Sequence, residues 1–275
     1  MGVLDGKAAI VTGSARGIGR ATAELLSEQG ARVLINDLDG DVAEQAAGEI
    51  AGETAVFAGD LTKPDAPGQL VQAAIDAFGK IDIIVNNAGY TVDAPVHKMS
   101  DEQFQAMIDI HTVVPFRVIR AAAPHLREPA KKEREEGKEV FRKIVNVSST
   151  SGTFGNAGQA NYSAGKAGVV GLTKTIAKEW GQFKVNVNAV AFGFIDTRLT
   201  QAKVDENTME IGGEQVQLGI PEQMRQMASM LIPLGRPATP EEAAGGVFFL
   251  CTPWSNYVHG QTLHITGGLF GGMTG

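Results

Sequence analysis

Tyr162 and Lys166 stand four residues apart, and Ser149 lies thirteen residues before the tyrosine. Side chains at i and i+4 of a helix leave from the same face, so this spacing predicts a phenol and an ammonium side by side. A free phenol has a pKa of about 10. A nearby ammonium favours the phenolate and lowers that value, which suits proton exchange with an alcohol or carbonyl oxygen. Ser149 adds a hydroxyl able to steady the same oxygen as charge develops on it. A Tyr/Lys pair at helical spacing is also a common surface pairing, so its meaning depends on what else the chain carries.

A glycine-rich turn, Thr12-Gly13-Ser14-Ala15-Arg16-Gly17-Ile18-Gly19, follows the first apolar run and opens a helical stretch. Without side chains there, the backbone can approach a pyrophosphate, and the helix N-terminus offers N–H donors and a favourable dipole. The spacing is GxxxGxG, which is neither GxGxxG nor a P-loop. Asp37 ends the second apolar run, eighteen residues after Gly19. An acid at that point can bond a ribose 2′-hydroxyl and repel a 2′-phosphate, which favours NAD over NADP. Arg16, beside the turn, is a cation able to compensate part of a phosphate's charge and keeps NADP open.

These residues need a scaffold, and the chain supplies the pattern of one. Short apolar runs at Ala8–Val11, Arg32–Ile35, Ala55–Ala58, Ile81–Val85, Lys143–Val147, Lys184–Val190 and Thr262–Ile265 predict seven strands. Helical stretches at Gly19–Gln29, Pro64–Phe78, Glu102–Leu126, Gln159–Trp180 and Pro240–Leu250 lie between them. Alternation of this kind predicts an α/β chain: a single doubly wound Rossmann domain, residues 1–275, with a seven-stranded parallel sheet and helices on both faces. Its ligand should sit beyond the carboxyl ends of the strands. Two segments interrupt the rhythm. Residues 128–139 are nearly all charged and read as a solvated helical extension, a mobile loop or a docking surface. Residues 201–231, with Met209, Met224, Met227 and Met230, show no clear strand and stand where a substrate lid would lie; flexible methionines suit an adaptable apolar wall, and helix packing explains them equally well.

With these motifs in view, the chain resembles the short-chain dehydrogenase/reductases over nearly its whole length. TGSARGIG matches that family's TGxxxGxG, Asn86-Asn87-Ala88-Gly89 its NNAG, and Tyr162…Lys166 with Ser149 its catalytic set. Gly155–Tyr162 and Gly260–Gly268 look most like the 3-oxoacyl-acyl-carrier-protein reductases, enzymes of fatty acid metabolism. The resemblance implies Tyr162 as acid/base, with Lys166 lowering its pKa and holding the nicotinamide ribose, and Ser149 on the reacting oxygen. It implies a dinucleotide held along Gly13, Ser14, Arg16, Gly17, Ile18 and Gly19. Asp60 and Leu61 would border the adenine, Asn87 would support the cofactor, and Ile195 and Thr197 would meet the carboxamide. It also implies a homotetramer whose long helices pair across subunits.

Two positions depart from the family pattern. His111 stands where many members have an asparagine that helps hold a water chain; an imidazole can serve such a relay and titrate near neutrality, or be a plain helix residue. Phe192 replaces a proline, which frees the backbone there and would place a bulky ring near the reactive end of the cofactor. The expected reaction interconverts a secondary alcohol and a ketone with NAD(H). A 3-oxoacyl thioester is the plausible substrate; a steroid, a sugar or a small secondary alcohol is the alternative. From another class, a catalytically weak dinucleotide-binding sensor or scaffold remains open.

Composition bounds the rest. The chain has 275 residues, 43% hydrophobic and 20% charged, enough for one large core. Its net charge of −7 gives no nucleic-acid footprint. The single cysteine, Cys251, lies in an apolar run and reads as a core residue of a reducing compartment. No apolar run approaches membrane-spanning length, so a soluble cytoplasmic protein without membrane partners is expected. The histidines lack metal-ligand spacing and there is no GxSxG elbow, so neither a metal site nor a serine hydrolase is expected.

Overall fold

Alternating side chains along the first strand divide the core in two. Strand β1 (Ala8–Val11) sends Ala8 and Ile10 to one face of the sheet and Ala9 and Val11 to the other, as the two-residue period of a strand requires. The same division runs through β2 (Arg32–Asp37), β4 (Ile83–Asn86) and β5 (Arg142–Ser149), which are buried almost throughout. In the computed structural model, which describes residues 2–198, 200–201, 208–211, 214–217, 219–220 and 222–269, these strands join β3 (Thr54–Ala58), β6 (Val185–Phe192) and the strand Thr262–Ile265 in one sheet. All seven are parallel, in the order β3-β2-β1-β4-β5-β6 and then Thr262–Ile265.

Helices α1 (Gly17–Glu28), α2 (Gly40–Glu49) and a last helix, Pro240–Cys251, cover one face. Helix α3 (Ala66–Phe78) and the longer helices between β4 and β6 cover the other. The order reverses direction between β1 and β4, and the crevice at their carboxyl ends is where a doubly wound sheet takes its ligand. The expected α/β architecture and all seven strands are present.

Several boundaries moved. The stretch expected as one helix from Glu102 is three pieces: α4 (Asp101–Ile108), a π-helical turn at Asp109–Val113, and α5 (Val114–Glu135). Ser100 starts α4 with a reciprocal capping box to Gln103. The charged segment 128–139 is mostly the last turns of α5. They are tied back by Glu133, whose carboxylate takes a two-pronged bond from the buried Arg142 guanidinium at 2.7 and 2.8 Å. After Ser149 comes a single-turn helix, α6 (Thr150–Phe154), then α7 (Ala160–Trp180).

The stretch 201–231 does contain strands. β7 (Thr208–Ile211) and β8 (Glu214–Gln217) pair antiparallel, and α8 (Glu222–Leu231) follows, with α9 (Pro240–Cys251) and β9 (Thr262–Ile265) closing the chain. Residues 202–207, 212–213, 218 and 221 of that stretch, and the side chains of Met209 and Met224, lie outside the described residues. Met227 and Met230 are largely exposed. No helix among the described residues is long and apolar enough to cross a membrane.

Candidate active site

The glycine turn joins the end of β1 to α1, and its geometry is set from behind. Asn87, just past β4, donates its side-chain amide to the Thr12 and Gly13 carbonyls, both at 2.9 Å, and its backbone N–H to the Thr12 hydroxyl at 2.9 Å. A Cβ at Gly19 would stand 2.1 Å from the Gly13 carbonyl oxygen and 2.5 Å from that Asn87 amide, so this position excludes any side chain. Gly17 is different: its φ is +56°, and a Cβ there would meet only Thr197, at 3.8 Å. The space over Gly17 is open. Arg16 makes no side-chain cap and the first turn of α1 holds no acid, so the amides at its N-terminus remain available to an anion. This cradle fits a dinucleotide pyrophosphate.

Not every residue of the turn faces the cradle. The Ser14 hydroxyl donates to the Val11 carbonyl at 2.7 Å and accepts from the Asn36 N–H at 3.0 Å, while its own N–H donates to the Asn36 carbonyl at 2.7 Å. Ser14 is buried and brackets β1 to β2, so its polar groups serve the scaffold. Ile18 is half-buried against the core of the α1 face. Asp37 ends β2, with Arg16 Nη1 at 3.7 Å from its carboxylate. Past β3, Asp60 accepts from the Thr62 N–H at 2.9 Å and the Thr62 hydroxyl at 2.6 Å, while Leu61 is buried. Ile195 and Thr197 follow β6: Ile195 forms a bridge with Ala238, and the Thr197 N–H donates to the Thr200 hydroxyl at 2.9 Å. Phe192 is buried in the core on the α1 face together with Ile195. Its ring packs in the same cluster as Ile195, the residue expected at the nicotinamide carboxamide.

Ser149, Tyr162, Lys166 and His111 come together on the opposite side of the crevice. Ser149 ends β5 and caps α6, its hydroxyl oxygen accepting from the Ser151 N–H at 3.1 Å. Tyr162 and Lys166 share one face of α7, with the ammonium nitrogen 5.7 Å from the centre of the phenol ring. Lys166 is buried and donates to the Val147 carbonyl at 2.7 Å. Burial pushes its pKa from 10.5 down to about 7. The phenol moves the opposite way from expectation: burial pushes it up to about 12, with the Asp93 carboxylate adding to the rise and the Ser149 hydroxyl pulling down. The physical reason is plain. The phenol is itself buried, and losing its hydration disfavours the phenolate by more than the Ser149 hydroxyl favours it.

The π turn brings His111 into this cluster. Its ring meets Tyr162 edge-on, with centroids 4.9 Å apart. Nε2 lies 2.8 Å from the Tyr90 carbonyl. A carbonyl only accepts, so Nε2 carries the hydrogen and Nδ1 presents a lone pair. Nδ1 is buried without a partner. Burial first, and the Lys166 charge second, hold the imidazole well below its usual pKa. His111 is therefore a neutral acceptor, and the expected titration near neutrality is corrected by its burial.

Several site residues carried no role in the sequence reading. Gln159 donates to both oxygens of Asp93 at 3.1 and 3.0 Å and accepts from the Ser151 hydroxyl at 2.9 Å. Asn161 donates to the Val92 and Gln103 carbonyls and accepts from the Tyr162 N–H at 2.7 Å. Together they lash the loop after β4 to the start of α7 and fix the height of the phenol. The polar run Asn156–Tyr162 was their signal.

Comparison with known proteins agrees with this geometry. A family model described as enoyl-(acyl carrier protein) reductase matches residues 13–270. The chain is 39% identical to a 3-oxoacyl-[acyl-carrier-protein] reductase FabG of Vibrio cholerae, over 97% of this chain and 98% of the relative. It is 37% identical to the FabG of Thermotoga maritima, over 97% and 98% of the two chains. It is also 37% identical to a 3-oxoacyl-[acyl-carrier-protein] reductase of Synechocystis, over 98% and 99%. The glycine turn braced by Asn87, the Ser149/Tyr162/Lys166 cluster and likeness over nearly the full length agree: the chain belongs to the short-chain dehydrogenase/reductase family, oxidoreductases that act on CH–OH groups.

Proposed function

We propose that the protein reduces a 3-oxoacyl thioester to its 3-hydroxy product with NADH. The observation that carries the reading is the pairing of Ser149 and a protonated Tyr162 at one point beside the cradle. A phenol pushed up to about 12 is fully protonated at neutral pH and suits the role of general acid in the reducing direction. The ketone oxygen lies between the two hydroxyls; Ser149 donates to it, and Tyr162 gives it a proton as the carbonyl carbon accepts hydride. The reduced nicotinamide supplies that hydride. Lys166 holds the nicotinamide ribose, and its ammonium beside the phenol steadies the negative charge left when the proton departs. His111 Nδ1 accepts from a water that leads protons back towards Lys166. The three relatives carrying 3-oxoacyl reductase names support the thioester.

At the cofactor end, the turn from Gly13 to Gly19 holds the pyrophosphate through the amides of Gly17, Ile18 and Gly19, with Arg16 alongside. Asp37 accepts from the ribose hydroxyls and favours NAD over NADP. Asp60 and Leu61 border the adenine, Ile195 and Thr197 meet the carboxamide, and residues 201–231 cover the substrate. A cytoplasmic homotetramer completes the reading. The test is acetoacetyl-CoA reduction followed at 340 nm with NADH and NADPH in parallel, and crotonyl-CoA as the enoyl control. Faster turnover of acetoacetyl-CoA with NADH is the expected result. Turnover of crotonyl-CoA alone would overturn ketone reduction.

A further inference from the structure

Arg16 and Asp37 place opposite charges at the end of the cleft where a 2′-phosphate would lie. Left to themselves they nearly cancel, and Asp37 would be spent on Arg16 instead of on ribose hydroxyls. The chain holds a third charge there. Asp39, two residues past the end of β2, accepts from Arg16 Nη2 at 3.1 Å, closer than the 3.7 Å between Arg16 Nη1 and Asp37. Asp39 also caps α2, its carboxylate accepting from the Val42 N–H at 3.3 Å. The cap holds the carboxylate at a helix end, where it competes with a phosphate for the guanidinium.

We infer that Asp39 is a specificity-determining residue, which sequesters Arg16 so that Asp37 faces the ribose and the net charge of the trio opposes a 2′-phosphate. This rests on the dinucleotide reading above. The guanidinium is permanently charged and forks towards carboxylate or phosphate alike, so the two compete for it directly. With Asp39 in place, three residues carry one positive and two negative charges. Without its charge, Arg16 is free to meet a phosphate and the sum falls to zero. The Arg16 hydrogen bond, and after it the Val42 amide, lower the Asp39 carboxyl below its ordinary pKa.

Asp39→Asn tests this, because asparagine keeps the helix cap while removing the charge. Affinities for NADPH and NADH are measured by fluorescence titration of the folded protein, without substrate. The expected result is NADPH binding tightened on the order of tenfold, as for a gained charge-assisted contact, with NADH changed less than about twofold. The gain should shrink as salt rises and disappear in the double variant Arg16→Ala/Asp39→Asn. Unchanged NADPH affinity in Asp39→Asn, or a gain that survives loss of Arg16, overturns the proposal. A parent chain that binds NADPH more tightly than NADH sinks the NAD reading of Asp37, yet leaves the Asp39 effect measurable as the same ratio. A parent chain that binds neither overturns both.

Discussion

Two cations stand at the carboxyl end of this sheet, and they behave in opposite ways. Arg16 sits at the cleft rim, with two carboxylates and water around it. Lys166 lies beneath the surface with a backbone carbonyl for a partner. The first keeps its charge and acts by attraction. Burial loosens the second's hold on its proton, bringing its pKa to about 7, and the phenol beside it stays protonated. Spacing alone treats both as positive side chains near a functional group. On the proposed function, burial separates a recognition site, where charge persists, from a proton-handling site, where charge is kept close to its tipping point.

The sharpest way to break this contrast is to remove the acid. Tyr162→Phe should lower the rate of ketone reduction by about 10³-fold or more, while NADH titration remains close to the parent. Retained turnover would show that another group protonates the substrate. Next in size is Gly19→Ala. Its methyl group collides with the Gly13 carbonyl and the Asn87 amide, so dinucleotide affinity should fall by roughly 100-fold, and calorimetry would register the loss directly.

His111 offers a finer probe of the buried side. His111→Asn, which keeps an acceptor, should retain activity within about tenfold, and His111→Leu should lose considerably more. Because the imidazole stays neutral, the parent pH–rate profile should lack an inflection from His111 near its ordinary pKa of about 6.5. An inflection there that disappears in His111→Asn would contradict the neutral assignment.

The smallest expected effect is thermodynamic. The folded-state pKa of Lys166, about 7, lies below its unfolded value of 10.5. Between those values the unfolded chain binds more protons, so stability contributed by this group rises with pH and is flat below about pH 7. Lys143, lowered to about 8 by burial, acts in the same sense. Urea midpoints of the parent and of Lys166→Met at pH 7 and 9 should differ in slope, the parent rising more steeply. Parallel slopes would mean that Lys166 keeps its proton.

Much of this was readable from the chain, because strands buried on both faces are short apolar runs between glycine-rich breaks. The five central strands, β1, β2, β4, β5 and β6, follow that rule, while β3 and β9 at the edges are only partly buried. Helix α2 escaped notice because its buried face is Ala43, Ala46 and Ala47, too small to stand out as a stripe; its Asp39 cap was the available signal. The π turn was invisible, since nothing in Asp109–Val113 differs from ordinary helix sequence. In the site, residue identity and spacing located Ser149, Tyr162 and Lys166 together. They could not give the direction of the tyrosine's pKa or the tautomer of His111, because both depend on burial by elements far away in sequence.

The π turn has a final consequence, for length variation. It is a helix carrying one surplus residue, and each residue of an α-helix turns the chain by about 100°. A one-residue deletion between Asp109 and Val113 would restore regular winding and put two demands in conflict. If α5 kept its apolar face on the sheet, residue 111 would swing away from Tyr90 and Tyr162. If the imidazole kept its place, Val118, Ile119, Ala122 and Leu126 would rotate out of the core. Substitution can vary the side chain at 111, but a single deletion there forces the molecule to give up either the histidine's contacts or the seating of its longest helix.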